Sequence, residues 1–215
     1  MSIIVSASLL AADFTDLKNE IKRTEQAGTD MLHLDVMDGL FVTNLSFGMP
    51  VIAALRPLTK MAFDTHLMTK EPHRLIEASA KAGSDYITFH IESDSDALET
   101  IRLIKSFGVK AGLSVKPKTP IEEVFPYLEM LDLVLIMTVE PGYGGQSFMA
   151  DMLPKMTKLK EECERRGKEL LIEVDGGVND KTGSLCREAG ANALVAGTYL
   201  YKSSDFANSV KLLKA

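Results

Sequence analysis

Four residues whose side chains can hold a metal ion or move a proton occur in apolar runs of the sequence. His33 and Asp35 are two residues apart, so on a β-strand both side chains would point to the same face. His66 and Asp175 each close a later run. Two imidazoles and two carboxylates can bind one borderline divalent cation, such as Zn, Fe, Mn or Co. Alternatively, the histidines are buried and neutral and Asp35 caps a loop, but four such residues at strand ends favour the metal site.

Glycine-rich segments follow three further apolar runs and predict a phosphate site. Exposed N–H groups of such loops form concave sites for anions, and many barrels bind phosphate after their seventh and eighth strands. Any one segment is equally consistent with ordinary turn chemistry, whereas three in succession favour a phosphate ligand. The residues concerned are Gly142, Tyr143, Gly144 and Gly145, then Asp175, Gly176 and Gly177, and finally Gly197 with Thr198.

Three methionines occur at or near the ends of the same runs. Met37, Met68 and Met137 either fill gaps in the core or form a soft lining of a dry substrate pocket. The sequence supports the two interpretations equally.

Eight short β-rich runs alternate with helical stretches and would position these residues. Most runs are continuously apolar, which is typical of parallel strands covered on both faces. The predicted strands are 3–8, 31–36, 61–66, 86–90, 109–115, 133–139, 170–175 and 193–197. The predicted helical stretches are 13–27, 71–82, 96–107, 120–130, 152–166, 181–189 and 204–214.

The order of these elements predicts an α/β fold, a single-domain (β/α)8 TIM barrel over residues 1–215. An Ala-Gly pair followed by a strand recurs in the segments 26–35, 81–90 and 188–197, where glycine suits the end of a helix. An open doubly wound sheet would carry a glycine fingerprint after its first strand. No glycine follows the first strand here, so the closed barrel is favoured.

The composition excludes several classes of function. The chain has 215 residues, a net charge of −6 and 46% hydrophobic residues, which is ordinary for a globular domain. We expect no nucleic-acid partner, because no basic stripe is present, and no membrane span, because no apolar run is long enough. Cys163 and Cys186 form no metal-binding or disulfide pattern, which favours a reducing compartment and a cytoplasmic location.

Six motifs, in their order along the chain, resemble the ribulose-phosphate 3-epimerase family. The resemblance implies a metal-dependent barrel enzyme, an isomerase that inverts C3 of a ketose phosphate, as in the conversion of D-ribulose 5-phosphate to D-xylulose 5-phosphate. It also implies a small-molecule ketose phosphate as the partner and a homo-oligomeric assembly. The motifs are HLDVMDGLFVTNLSFG (33–48), DTHLMTKEP (64–72), FHIES (89–93), KPKTP (116–120), MTVEPGYGGQSF (137–148) and IEVDGGV (172–178).

Position by position, the resemblance implies a role for each candidate residue. The metal ligands would be His33, Asp35, His66 and Asp175, and the acid/base pair would be Asp35 and Asp175. Ser8 and His66 would contact the substrate, the three glycine segments would bind its phosphate, and the three methionines would line the site of the intermediate.

Some positions depart from the commonest family pattern and leave the substrate open. Thr43 replaces a usual proline, and Leu40 stands where histidine is frequent. The segment AGTYLYKSSD (196–205) resembles the hexulose-phosphate branch, such as allulose-6-phosphate 3-epimerase, whereas Gly177 preserves the double glycine of the pentose branch. The sequence is also compatible with a different phosphate-binding barrel enzyme and with a non-catalytic phosphosugar-binding protein.

Overall fold

Eight parallel strands close into a barrel in which each strand is hydrogen-bonded to its neighbours in chain order and β8 pairs with β1. This computed structural model describes residues 3–215. The predicted single-domain (β/α)8 barrel is confirmed, and every predicted strand overlaps an observed one. The strands are β1 (Ile4–Ser8), β2 (Met31–Met37), β3 (Ala62–Met68), β4 (Tyr86–His90), β5 (Lys110–Val115), β6 (Leu133–Met137), β7 (Leu171–Asp175) and β8 (Ala193–Ala196).

Helices connect the strands and cover the outside of the barrel. Each predicted helical stretch contains a helix, but the stretch between β5 and β6 is a 3₁₀-helix, Ile121–Met130. Pro126 lies inside it and has no N–H to donate, which disfavours a regular α-helix there. The sequence pattern missed α2 and α7, because seven and four residues are too few to show a helical period. The α-helices are α1 (Leu17–Gln26), α2 (Met49–Leu55), α3 (Ile76–Lys81), α4 (Ala97–Ser106), α5 (Leu153–Arg166), α6 (Asp180–Ala189), α7 (Thr198–Tyr201) and α8 (Phe206–Lys214).

Strand alternation divides the buried residues between two environments. In β2, Leu32 and Leu34 belong to the large apolar core between the strands and the helices. His33 and Asp35, which alternate with them, are also buried but point into the barrel. The run therefore looks continuously buried in the sequence, although only one face of β2 is uniformly apolar.

The interior of the barrel is apolar at one end and polar toward the other. Met31, Leu133 and Leu135 form a small apolar cluster with Tyr86 at the amino-terminal end. On most other strands the next inward positions carry hydroxyl, carboxyl or imidazole groups toward the carboxyl-terminal mouth, whereas β6 stays apolar through Met137. The fold thus places the chemically active side chains in one connected interior column.

Two further expectations from the sequence concern the glycines that end helices and the segments that could span a membrane. The glycine of each Ala-Gly repeat has the positive φ that ends a helix, at Gly28, Gly83 and Gly190. Within residues 3–215, no helix combines the length and the apolar composition that crossing a membrane requires.

Tight packing inside the barrel generates a stability prediction at Gly112. A Cβ added to this residue would lie 2.1 Å from Thr88 Oγ1 and 2.9 Å from Thr88 Cβ. We expect Gly112→Ala to lower the free energy of unfolding by about 1–3 kcal/mol, because overpacking forces neighbouring atoms apart. Denaturant unfolding measures the loss. Gly48→Ala is the control, since the nearest atom to its added Cβ is 3.9 Å away; equal losses in the two variants would contradict the prediction.

Candidate active site and metal centre

A cavity of about 580 Å³ opens at the carboxyl-terminal mouth of the barrel, where barrel enzymes place their active sites. All but two of the candidate residues named from the sequence line it. His33 and His66 are the exceptions, because both are fully buried beneath the floor that Asp35 and Asp175 form. The candidate residues on the cavity wall are Ser8, Asp35, Met37, Met68, Met137, Gly142, Tyr143, Gly144, Gly145, Asp175, Gly176, Gly177, Gly197 and Thr198.

Four ligand atoms converge at this floor, one each from His33, Asp35, His66 and Asp175. All four lie within 4.8 Å of one another. His33 Nε2 is 3.3 Å from His66 Nδ1, 3.3 Å from Asp35 Oδ1 and 4.0 Å from Asp175 Oδ2. Strands β2, β3 and β7 supply these residues, so the site exists only when the barrel closes.

This donor set fits a borderline divalent cation. Two imidazole nitrogens and two carboxylate oxygens are the ligands that Zn²⁺, Fe²⁺, Mn²⁺ and Co²⁺ accept in proteins. His33 Nε2 and His66 Nδ1 face each other at 3.3 Å. A cation bound to both nitrogens would satisfy their lone pairs, whereas without a cation one proton must lie between the two rings.

The environments of the two aspartates move their pKa values in opposite directions. Burial raises the pKa of Asp175 to about 6, and the negative charge of Asp35 adds to the rise. Burial also acts to raise the pKa of Asp35, but the charge of His33 and hydrogen bonds from His33 and His66 outweigh it and hold that pKa well below its usual range. Carboxyl groups whose pKa values are separated in this way suit complementary acid and base roles.

A carboxylate behind His33 orients its ring. His33 Nδ1 is 2.5 Å from Asp64 Oδ2, which accepts the Nδ1–H, and His33 Nε2 faces the four-ligand centre. Metal-binding histidines commonly donate their second N–H to a carboxylate, as His33 does to Asp64. Deeper in the barrel, burial and the negative charge of Asp64 raise the pKa of Glu173 well above its ordinary value.

A second outer contact lies behind His66. Its Nε2 is 2.8 Å from His90 Nε2, and His90 Nδ1 is 3.3 Å from Glu92 Oε2. Burial lowers the pKa of His90 to about 4. The two candidate ligand histidines are therefore each held from behind, His33 by a carboxylate and His66 by a further imidazole.

Backbone contact between neighbouring loops explains the double glycine after β7. A Cβ on Gly177 would lie 2.5 Å from the backbone nitrogen of Phe148, and one on Gly176 would lie 2.8 Å from that of Val139. Both glycines also have positive φ values. Thr138 Oγ1 donates a 2.6 Å hydrogen bond to the Gly176 carbonyl. The loops after β6 and β7 consequently pack so closely that no side chain fits between them.

The two helices that begin beside the cavity differ in how their first N–H groups are used. The Asn179 side chain accepts from Lys181 N and Thr182 N and so caps α6. At α7, no side chain of the described residues caps the first turn, which begins at Thr198 after Gly197. The first N–H groups of α7 therefore have no side-chain acceptor among residues 3–215, and they suit an anion.

The methionines lie in two places on the cavity wall. Met37 and Met68 pack with Val42 in a small cluster of their own, and Met137 belongs to the apolar cluster inside the barrel. Each is at most 5% exposed. They make one side of the cavity apolar, which is consistent with both interpretations drawn from the sequence.

Asp64, Glu173, His90 and Glu92 received no role from the sequence pattern. Asp64 and His90 share the period of two that relates His33 to Asp35, and this period is a signal that could have found them. Glu173 lies two residues before Asp175 and has the same period, but a carboxyl group inside an apolar run gives no indication of its partner. Lys202, a basic residue on the cavity wall, was also missed, because it follows α7 rather than a strand.

Solved structures share the fold at low sequence identity. A 3-hexulose-6-phosphate synthase aligns over 100% of this chain and 98% of its own, with a TM-score of 0.70 and 18% identity. A 3-keto-L-gulonate-6-phosphate decarboxylase from Vibrio cholerae O1 biovar El Tor aligns over 99% and 96%, with a TM-score of 0.71 and 16% identity. At these identities the likeness shows the fold alone.

Sequence relatives are much more similar. A ribulose-phosphate 3-epimerase of Bacillus subtilis (strain 168) is 50% identical over 204 residues, which are 94% of each chain. A chloroplastic ribulose-5-phosphate-3-epimerase of Arabidopsis thaliana is 45% identical over 215 residues, covering 99% of this chain and 76% of the relative. The profile of the Ribulose-phosphate 3 epimerase family matches residues 4–201. This chain therefore belongs to the ribulose-phosphate 3-epimerase family and is an isomerase of the epimerase type.

Proposed function

We propose that this protein converts D-ribulose 5-phosphate to D-xylulose 5-phosphate by inverting C3, with one divalent metal ion bound at the floor of the cavity. One observation carries the proposal. Two carboxylates that belong to a four-ligand cluster face a cavity whose other wall is built from three glycine loops. A phosphate bound at those loops would place the sugar carbons over the carboxylates.

The chemistry requires two groups that exchange a proton with opposite faces of one carbon. The proton on C3 is weakly acidic because the neighbouring carbonyl stabilises the resulting enediolate. Asp35 and Asp175 come from β2 and β7, which β1 and β8 separate, so the two side chains approach the cavity floor from different sides. One carboxylate removes the proton and the other, as a carboxylic acid, returns one to the opposite face. Their roles exchange when the reaction runs backwards.

Asp35 is positioned for this work by contacts to both of its oxygens. Oδ1 lies with the imidazoles of the four-ligand cluster, at 3.2 Å from His66 Nδ1. Oδ2 accepts a 2.6 Å hydrogen bond from Ser8 Oγ, which also lines the cavity. The oxygen on the Ser8 side is the one free to take the substrate proton, since Oδ1 is engaged in the cluster.

The metal ion would be held by His33, Asp35, His66 and Asp175. When bound, a divalent cation such as Zn²⁺, Fe²⁺, Mn²⁺ or Co²⁺ supplies positive charge that stabilises the negative charge developing on the substrate oxygens.

The glycine loops and α7 supply binding energy remote from the reacting carbon. Gln146 Nε2 donates to the carbonyls of Glu140 and Tyr143, which braces the loop after β6 over the cavity. Backbone N–H groups at Gly197 and Thr198 would bind the phosphate, with the Lys202 ammonium on the same wall. Contacts far from C3 orient the substrate and thereby raise the rate of the chemical step.

Metal removal gives the first test. We expect chelation to lower turnover by about 100-fold or more, because several kcal/mol of charge stabilisation are lost, and metal replacement to restore it. Titration of the metal-free protein with Co²⁺ should show a single site, which His66→Asn abolishes. His73→Asn is the matched control, because this exposed histidine lies outside the cluster and its ring hydrogen-bonds to Ser95. Full activity after complete chelation would rule out the metal.

Substitution of one acid/base residue gives the second test. We expect Asp175→Asn to keep the fold and to lower kcat by about 10²–10⁴-fold, because an amide neither removes nor returns the proton. Steady-state kinetics measure the loss, and circular dichroism checks the fold. Asp151→Asn, on an exposed aspartate, is the control. Near-normal turnover by the Asp175 variant would refute its role.

The origin of the new proton gives the third test and also identifies the substrate. In deuterated water, NMR should show one deuteron at C3 of D-xylulose 5-phosphate, because the group that protonates C3 exchanges with solvent. Retention of the original hydrogen at C3 would contradict two-group transfer. The same assay on D-allulose 6-phosphate tests the hexulose substrate, and faster turnover of that substrate would replace the pentose assignment while leaving the mechanism intact.

A further inference from the structure

We infer that Glu92 and His90 are positioning residues that hold His66 in the tautomer that binds the metal ion. The inference rests on the metal site of the proposed function. It concerns two residues that contribute no atom to the four-ligand cluster, and it assigns them a shared task.

The two ring nitrogens of His66 face different partners. Nδ1 lies 3.2 Å from Asp35 Oδ1 and 3.3 Å from His33 Nε2, and so belongs to the metal centre. Nε2 lies 2.8 Å from His90 Nε2 on the opposite side. A metal ligand must offer a lone pair. Nδ1 must therefore carry no hydrogen, and Nε2 must carry the only one.

A contact of 2.8 Å between two nitrogens fixes where the hydrogens are. Two bare lone pairs, or two N–H groups, would repel each other at this distance, so one hydrogen lies between the rings. With His66 as the donor, His90 accepts at Nε2. An imidazole that accepts at one nitrogen carries its hydrogen on the other, so His90 has its hydrogen on Nδ1.

Glu92 is the group that favours this arrangement of His90. Its Oε2 lies 3.3 Å from His90 Nδ1, and its Oε1 accepts a 2.7 Å hydrogen bond from the backbone N–H of Lys116. A carboxylate only accepts hydrogen bonds, so it stabilises the hydrogen on His90 Nδ1. The chain of donors then runs in one direction, from His66 to His90 and from His90 to Glu92.

Because His90 is buried, its hydrogen-bond partners determine its tautomer. His90 is fully buried, so water cannot stabilise its other tautomer. The Phe41 ring packs at 4.8 Å from the His90 ring and helps to fix its plane. The side chain of Glu92 is 21% exposed, whereas those of His66 and His90 are fully buried, so of these three described residues only Glu92 reaches solvent. The tautomer of the buried His66 thus depends on the partly exposed Glu92, which acts through the His90 ring.

Replacement of Glu92 by glutamine reverses the preference. An amide has a single acceptor oxygen, whereas Lys116 N–H and His90 Nδ1–H both require one. If the oxygen stays with Lys116, the amide NH₂ faces His90 Nδ1 and favours a lone pair there. The hydrogen of His90 then lies on Nε2 and donates to His66, which moves the hydrogen of His66 to Nδ1 and blocks the metal position.

The experiment uses the whole chain, with Zn²⁺ as the probe. In the zinc-loaded wild type, NMR of ¹⁵N-labelled histidines should show hydrogen on Nε2 of His66 and on Nδ1 of His90. We expect the Kd for Zn²⁺ of Glu92→Gln to be about 10–100-fold weaker, as for other residues that orient metal ligands. Glu99→Gln is the matched control, because Glu99 is an exposed residue that pairs only with Arg102 on α4, and its Kd should stay within about two-fold.

Separate outcomes distinguish this inference from the proposed function. Wild type that binds Zn²⁺ while Glu92→Gln binds it equally well overturns the inference alone. Hydrogen on Nε2 of His90 in the zinc-loaded wild type overturns it as well, and that measurement does not depend on whether the variant folds. Wild type that binds no Zn²⁺ overturns the metal site and, with it, the role of Glu92.

Discussion

Mutual pairing of buried imidazoles and carboxylates inside the barrel is the interaction that makes the site possible. A charge removed from water costs several kcal/mol unless a partner compensates for it. His33 is fully buried and has Asp64 at one ring nitrogen and Asp35 at the other. Burial acts to lower the pKa of His33, but these two carboxylates raise it well above its ordinary value. The histidine is tolerated in the interior because the aspartates are there, and the reverse is equally true.

This polar column is tolerated because stability comes from elsewhere. The large apolar core lies between the strands and the surrounding helices and involves residues from every strand. Inside the barrel, a much smaller apolar cluster extends from Met31 at the amino-terminal end to Met137 at the mouth. Asp64 Oδ1 and both carboxyl oxygens of Glu173 have no hydrogen-bond partner among residues 3–215. A less rigid fold would let water or a rearranged backbone reach these groups.

The mouth of the barrel obeys a different constraint, which is close contact between backbones. Gly176 and Gly177 let the loops after β6 and β7 touch, and Thr138 links the two by donating to the Gly176 carbonyl. Asp175 immediately precedes this pair, so the loop contact also fixes the position of its carboxyl group. The same feature that shapes the glycine wall of the cavity therefore orients one of the two aspartates on its floor.

The order of strands and helices, the closed barrel and the identity of most side chains that converge at the mouth were all predictable from the sequence. The converging side chains were predictable because side chains along a strand alternate between two faces, and His33 and Asp35 mark the inward face of β2. The sequence could not reveal that Asp64 stands behind His33 or that His90 stands behind His66, since those partners come from different strands. Only the closed barrel brings particular inward side chains together, because strand register and barrel closure, not spacing along the chain, set the distances between residues of different strands.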